Sequence, residues 1–202
     1  MLVSRHGSLK RITIDPGEYY VSNEPLIIST LLGSCVSACL WDPLNRVVGM
    51  NHFLLANSRY TQQGPVLKSD AGRYGIHAME LLINAMLRLG ANKRQLRAKA
   101  FGGGNVIYNQ SNKDNFFAVG EVNSRFIREF LSGEGIPLQV AHLGGDFGRV
   151  IHFTSTDYSV YMKTIGGENE QKIMQAERRY WKHEIEEHEK IEHAPKNTVQ
   201  YW

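Results

Sequence analysis

A mixed α/β domain, a β-sheet layer packed with two main helices, is predicted by three observations. The first 55 residues break into short runs rich in Ile, Val, Leu and Tyr with turn residues between them, which is strand patterning. Ile76, Met79, Ile83 and Met86 recur at helical spacing. From there the elements follow as helix, strand, helix, strand, strand, an order that gives a sheet covered by helices.

Arg11 to Ile14, Glu18 to Ser22 and Leu26 to Leu31 are the first strands. Val36 to Trp41 alternates small, apolar and polar residues, and Val47 to Leu55 reads as its partner, with Asp42-Pro43-Leu44-Asn45 as the hairpin turn. Residues 56–72 are polar, contain Pro65 and read as a long loop, of the kind that forms a lid or one wall of a groove. Tyr74 to Leu89 is a helix, with Asp70 as N-cap and Gly90 as its stop. Leu96 to Phe101 is a strand that runs into Gly102-Gly103-Gly104. Val119 to Leu131 is the second helix, apolar along Phe126, Ile127, Phe130 and Leu131. Strands at Leu138–Leu143, Val150–Thr154 and Ser159–Ile165 complete the body, the last two as a hairpin through Ser155-Thr156-Asp157-Tyr158. Beyond Gly166-Gly167 the composition shifts. Glu168 to Glu192 is dense in Glu, Lys, Arg and His, with Ile173, Tyr180, Trp181 and Ile185 as its few anchors. The reading is one domain over 1–167 and a charged, helical C-terminal extension over 168–202.

A chain of 202 residues with 42% hydrophobic residues can bury a sizeable core. Two cysteines are no disulfide framework, and the start lacks the apolar core of a signal peptide. No run of about 18 apolar residues offers a membrane span. These features predict a cytoplasmic protein with no membrane insertion. The net charge of +3 is too weak to argue for nucleic acid. Residues 166–202 hold six Lys/Arg and eight Asp/Glu, so the remaining body carries 17 basic and 12 acidic residues. A mildly basic body suits an acidic partner surface.

The chemistry concentrates in Gly33-Ser34-Cys35 and Asn51-His52. A cytosolic cysteine is most often a buried small hydrophobe. Here Gly33 and Ser34 give the thiol an uncrowded approach, and backbone amides of such a turn can hold a developing oxyanion. The hairpin returns His52 to the neighbourhood of Cys35, and a thiol beside an imidazole is the minimal equipment of covalent cysteine catalysis. Apolar neighbours imply a buried, neutral imidazole, which suits a base. Ser29 or Thr30, on the strand entering the turn, could accept the other imidazole N–H. Cys39 reads as core. A zinc site needs ligands in close pairs. Cys35 and Cys39 have no histidine pair near them, and His183, His188 and His193 do not share one helical face. Gly102-Gly103-Gly104-Asn105 lacks the Lys-Ser/Thr of a P-loop and reads as a place where backbones pack tightly or line a pocket, and Gly144-Gly145-Asp146-Phe147-Gly148-Arg149 is no stronger a motif.

Leu32-Gly33-Ser34-Cys35-Val36 through Asp42-Pro43, then Gly49-Met50-Asn51-His52-Phe53-Leu54-Leu55, closely resembles the signature of the CheD family of bacterial chemoreceptor glutamine deamidases. Collinear matches follow at Lys99 to Gly104, Val119-Gly120-Glu121 with Asn123, Ile136-Pro137-Leu138, and Leu143-Gly144-Gly145 through Gly148-Arg149-Val150, so the resemblance covers roughly 10–165. It implies that Cys35 is the nucleophile and His52 its base, that a Thr shortly before the Gly-Ser-Cys is the third member (Ser29-Thr30 occupies that place), and that Gly33 and Ser34 lie at the oxyanion. The chain departs from the family pattern at Ala56, where Pro is usual, and at Val122, where Arg is common.

The resemblance further implies a fold similar to the catalytic domain of the cytotoxic necrotizing factor toxins. Its substrates would be methyl-accepting chemotaxis receptors, whose glutamines become glutamates through a Cys-thioester, without metal or organic cofactor. A CheC-like phosphatase acting on CheY-P is an implied further partner. The competing classes are a chemotaxis adaptor with little catalysis and an unrelated cysteine hydrolase or acyl transferase.

Overall fold

The computed structural model describes residues 1–55, 66–105 and 117–165, together with Gln175, Arg179 and Tyr180. Among the described residues ten strands form two sheets. In chain order they are β1 (Leu2–His6), β2 (Leu9–Thr13), β3 (Tyr19–Ser22), β4 (Leu26–Leu32), β5 (Val36–Asp42), β6 (Val47–Asn51), β7 (Arg97–Gly102), β8 (Leu138–Leu143), β9 (Gly148–Thr154) and β10 (Val160–Ile165). Helix α1 (Asp70–Arg88) lies between β6 and β7, and helix α2 (Phe117–Gly133) between β7 and β8. The outer sheet runs β1-β2-β4-β9-β10, and the central sheet runs β3-β6-β5-β7-β8. Both are mixed: β2 and β4 pair in parallel, as do β7 and β8, while the other pairs are antiparallel.

The mixed α/β class and the two helices agree with the sequence, but the single sheet layer needs correction. The strands divide between two stacked sheets, and α1 and α2 pack mainly on the central one. Val36, Ala38 and Leu40 of β5 face Met79 of α1 and Phe126 of α2 in one core cluster. Cys35, Cys39 and Trp41 face Ile28 of β4 and Ile151 of β9 in the other. Period-2 alternation explains how one strand feeds both cores. A strand buried on both faces reads as a nearly continuous apolar run, and every residue of β5 and β6 is buried.

The β5–β6 hairpin turns where expected. The Asp42 carboxylate accepts from Leu44 N at 2.9 Å, Asn45 N at 3.1 Å and Asn45 Nδ2 at 2.7 Å, an Asx-type turn. It also accepts from Asn92 N at 2.7 Å, tying the hairpin to the segment ahead of β7.

Three boundaries differ from the sequence reading, the first being that β6 ends at Asn51, short of Leu55, so that His52 lies just past it. β1, which went unassigned, pairs antiparallel with β2 as an edge strand. Helix α1 begins at Asp70, inside the presumed loop, and its N-cap is Ser69, whose hydroxyl accepts from Gly72 N at 3.0 Å. Gly72 weakens this first turn in a propensity reading, and Gly75 in the next turn allows close helix packing, since a Cβ there would meet the Phe126 ring at 2.5 Å. Of the presumed loop, residues 56–65 lie outside the described residues. So does the 168–202 extension, apart from Gln175, Arg179 and Tyr180, which are helical.

Candidate active site

Cys35 lies where the chain leaves the outer sheet for the central one. β4 ends at Leu32, β5 begins at Val36, and Gly33-Ser34-Cys35 makes the crossing. Each carbonyl of this turn is held. Gly33 O accepts from Gly104 N at 2.7 Å and Cys35 O from Gly103 N at 2.7 Å. Ser34 O accepts from Asn123 Nδ2 at 2.8 Å. The glycine run after β7 is what permits this approach. A Cβ at Gly102, whose φ is +115°, would stand 2.1 Å from Cys35 O. Gly102-Gly103-Gly104 thus packs backbone to backbone against the turn, as the sequence suggested.

His52 follows β6. Val36 and Phe53 bridge with reciprocal backbone bonds of 3.0 and 2.9 Å, in register with Cys39 opposite Met50 farther along. The ladder therefore sets Leu54 opposite Cys35 and makes His52 its diagonal neighbour on the same face. Such neighbours have Cα atoms about 7–8 Å apart, within reach of a long side chain. Both side chains are buried, Cys35 at 0% and His52 at 2% exposure. The backbone of His52 is clamped as well: its N–H donates to Glu18 O at 2.9 Å and its carbonyl accepts from Gly17 N at 2.8 Å.

The imidazole has one described partner. Thr30 Oγ1 lies 2.8 Å from His52 Nδ1 and donates its own proton to Ile14 O at 2.7 Å. A hydroxyl has one proton to give. With that proton on a carbonyl, which can only accept, His52 Nδ1 must be the donor to Thr30. The tautomer assigned in this way leaves the lone pair on Nε2, which is buried with no hydrogen-bond partner among the described residues. Burial alone pushes the His52 pKa down to about 3, so the ring is neutral at neutral pH.

The two candidate hydroxyls point to opposite faces of β4. Thr30 faces the inter-sheet layer and His52. Ser29 faces the other side, where its Oγ lies 2.7 Å from His152 Nδ1 on β9. Cys39, read as core, is buried at 0% exposure, and burial pushes its thiol up to about 12. The described side chains thus present a nucleophile candidate on the same hairpin face as a neutral imidazole whose acceptor nitrogen has no hydrogen-bond partner among the described residues.

Asn123 joins two elements that the sequence reading left separate. From the middle of α2 it donates to Ser34 O and accepts from Leu55 N at 2.9 Å, so one amide ties the nucleophile turn to the chain just after His52. Its sequence signal is a short amide among Val119, Val122 and Phe126 on the apolar side of a helix, at 0% exposure. Asn is a weak helix former, and burial there requires partners. Tyr180 was expected only as an anchor of the tail. It is half-buried, its hydroxyl meets that of Tyr74, and with Gly17, His52 and His77 it borders a cleft of about 60 Å³.

The chain is similar to known proteins over most of its length. The model of the CheD family, described as CheD chemotactic sensory transduction, matches residues 54–164. A probable chemoreceptor glutamine deamidase CheD 1 of Geobacter sulfurreducens is 51% identical over 178 residues, 88% of this chain and 89% of that one. An alignment of that length within 202 residues takes in 25–178, and with it Thr30, Cys35 and His52. A probable chemoreceptor glutamine deamidase CheD 2 of Shewanella oneidensis is 50% identical over 157 residues, 76% of each chain. A namesake from Sinorhizobium medicae is 43% identical over 171 residues, 84% of this chain and 88% of its own. Among solved structures, the Bacillus licheniformis hypothetical protein YfiH overlaps 61% of this chain and 49% of its own, with 19% identity and a TM-score of 0.34, too slight an overlap to carry an argument. Matched by the family model over more than half its length, and by relatives at 43–51% identity whose own chains are covered to 76–89%, the chain belongs to the CheD family.

Proposed function

We propose that this chain hydrolyses glutamine side chains of methyl-accepting chemotaxis receptors to glutamate, with Cys35 as nucleophile, His52 as general base and acid, and Thr30 as the residue that orients His52. The relatives named above are called chemoreceptor glutamine deamidases. The observation that carries the residue roles is the commitment of the Thr30 proton to Ile14 O, which leaves His52 Nε2 as an acceptor on the face of the hairpin that carries Cys35.

The reaction runs in two halves. The Cys35 thiol gives its proton to Nε2 as the sulfur attacks the carboxamide carbon. Backbone amides of the Gly33-Ser34-Cys35 turn hold the oxyanion. The imidazolium returns its proton to the leaving nitrogen, the C–N bond breaks, and ammonia departs from a thioester. Water then gives a proton to Nε2 and attacks the thioester. The C–S bond breaks, and glutamate and the thiol are left. Thr30 holds Nδ1–H through both halves. Because Cys35 and His52 are 0% and 2% exposed, a receptor glutamine reaches them only after neighbouring groups shift, so the cycle includes a conformational step.

A fold kinship with the cytotoxic necrotizing factor toxins, a CheC-like phosphatase partner, cytoplasmic residence and a deamidase domain over 1–167 belong to the same proposal. Among the described residues no helix is long and apolar enough to cross a membrane. The test is mass spectrometry of a receptor cytoplasmic fragment incubated with the protein. Conversion of amide to acid at discrete glutamines, abolished in Cys35→Ala and His52→Ala, is the expected result. Deamidation undiminished in Cys35→Ala overturns the reading.

A further inference from the structure

We propose that Arg149 is a positioning residue for the nucleophile: its buried guanidinium supplies the positive field in which the Cys35 thiolate and the oxyanion on the Gly33-Ser34-Cys35 turn form. The inference rests on Cys35 being the nucleophile.

Arg149 has 0% exposure and heads the fully buried side chains by size. It stands on β9 directly opposite Leu32, one residue before Gly33. Ile151 and Phe153, two and four residues on, point into the inter-sheet layer, and strand alternation sends Arg149 the same way. The guanidinium bridges to the far edge of the central sheet. Nη1 donates to His142 O at 2.5 Å and lies 3.0 Å from His142 Nδ1. Nη2 donates to Gly144 O and, at 3.5 Å, to Phe147 O. The cation also lies 5.0 Å from the Phe147 ring centre.

Every one of these partners is uncharged or a neutral acceptor. Among the described residues no carboxylate pairs with Arg149, and its Nε is buried without a hydrogen-bond partner. The titratable group in contact with Arg149 among the described residues is His142 on β8. Asp146, in the loop ahead of β9, is exposed. Burying a cation without an anion is costly, and burial lowers the pKa of this guanidinium to about 10. Carbonyls alone could be bridged by a neutral amide. A retained charge makes physical sense where an anion appears during the reaction.

The nucleophile turn is where that anion appears, and Gly104 links it to Arg149. Gly104 N donates to Gly33 O at 2.7 Å. A Cβ on Gly104 would sit 3.3 Å from Arg149 Nη2 and 3.3 Å from Gly33 O. The guanidinium and the turn therefore flank one glycine. A cation flanking the turn that carries a cysteine favours its thiolate.

The test is the pH dependence of Cys35 alkylation by iodoacetamide in the full chain, read by peptide mass mapping. Mapping separates Cys35 from Cys39, which stays protonated because burial holds it near 12. Arg149→Gln keeps an amide donor and removes the charge. It is expected to raise the pH midpoint by about one unit and to slow alkylation at neutral pH about tenfold. Arg149→Lys keeps the charge and loses the fork, so its midpoint stays near wild type even where its melting temperature drops. A wild-type midpoint in folded Arg149→Gln overturns the proposal and leaves Arg149 as a structural tie. A midpoint that rises in Arg149→Lys in step with lost stability also overturns it, and this arm holds if Arg149→Gln does not fold. Because alkylation reads the thiol itself, a receptor fragment that is never deamidated would defeat the functional proposal and leave these outcomes readable.

Discussion

Ser29 and Thr30 are neighbours on β4, and each hydroxyl meets a histidine Nδ1, at 2.7 Å for Ser29–His152 and 2.8 Å for Thr30–His52. In hydrogen-bond length the two pairs are nearly equal. Their surroundings are not. Thr30 and His52 lie in the layer between the sheets, where His52 is 2% exposed and burial alone depresses its pKa. Ser29 and His152 lie on the outer face, where His152 is half-buried and its pKa is lowered by burial first, then by the charges of Arg11 and His6. Thr30 has its proton committed to Ile14 O, which assigns the His52 tautomer, while the Ser29 hydroxyl has no second partner among the described residues to fix its direction. Cys35 shares the hairpin face of His52. A hydroxyl–imidazole pair thus becomes a candidate catalytic pair through the layer it occupies and the thiol it faces, not through its own geometry.

Substitution at the two hydroxyls breaks or keeps that comparison most directly. Thr30→Val removes the acceptor for His52 Nδ1–H inside a buried layer. An orphaned buried donor costs about 1–3 kcal/mol, so kcat/KM for receptor deamidation should fall about 10–100-fold as the wrong tautomer and ring rotations become populated. Ser29→Ala leaves His152 near solvent and should leave deamidation near wild type. Equal losses in the two variants, measured by the rate of amide-to-acid conversion, would break the comparison.

The hairpin that brings His52 toward Cys35 was legible because its turn is local: Asp42 makes every hydrogen bond of an Asx turn within three residues. The choice between Ser29 and Thr30 was not. β4 reads Leu-Ile-Ile-Ser-Thr-Leu-Leu and is buried along nearly its whole length, so alternation, the usual clue to facing, is erased. Which hydroxyl faces the thiol depends on the second sheet, and no local pattern divides the strands between sheets. Gly33-Ser34 was read as a tight turn, but its place as the crossing between sheets follows only from long-range pairing of β4 with β9 and of β5 with β7. Asn123 was legible as part of a family pattern. Its partners, Ser34 and Leu55, lie 89 and 68 residues away in sequence. Edge strand β1 escaped because Leu2-Val3-Ser4-Arg5-His6 has little apolar alternation, as edge strands often do.

Acid stability sharpens the same contrast. An unfolded chain protonates His52 near 6.5, whereas the folded protein keeps it neutral down to about 3. Between those values the unfolded state binds more protons, so stability falls as pH falls and is fully present above 6.5. The slope is about 1.4 kcal/mol per pH unit, or about 2 kcal/mol between pH 6.5 and 5. Urea unfolding at several pH values should show this slope in the wild type and a reduced one in His52→Gln. His152, half-buried and also held below its ordinary pKa, contributes in the same direction, and His152→Gln should relieve less of the slope. If His52→Gln keeps the wild-type slope, His52 is not the buried neutral imidazole described.

Salt supplies the smallest effect and the cleanest separation of causes. Desolvation is a property of burial, and mobile ions do not reach it. Repulsion from neighbouring charges is screened, since the Debye length shrinks from about 30 Å at 0.01 M to about 3 Å at 1 M. His52 owes its depressed pKa to burial alone, so its titration should not move with salt. His152 owes part of its depression to Arg11 and His6. Screening weakens that repulsion and makes the protonated ring less unfavourable, so its midpoint should rise by a few tenths of a unit toward 6.5. Arg11→Gln should raise it in low salt by a similar amount and remove most of the salt response. NMR titration of the ring Cε1–Hε1 signals reads both histidines in one sample. A His152 midpoint indifferent to both salt and Arg11→Gln would mean that burial sets both pKa values. The two pairs would then differ in depth and in the presence of Cys35, and no longer in the kind of electrostatics that holds each ring neutral.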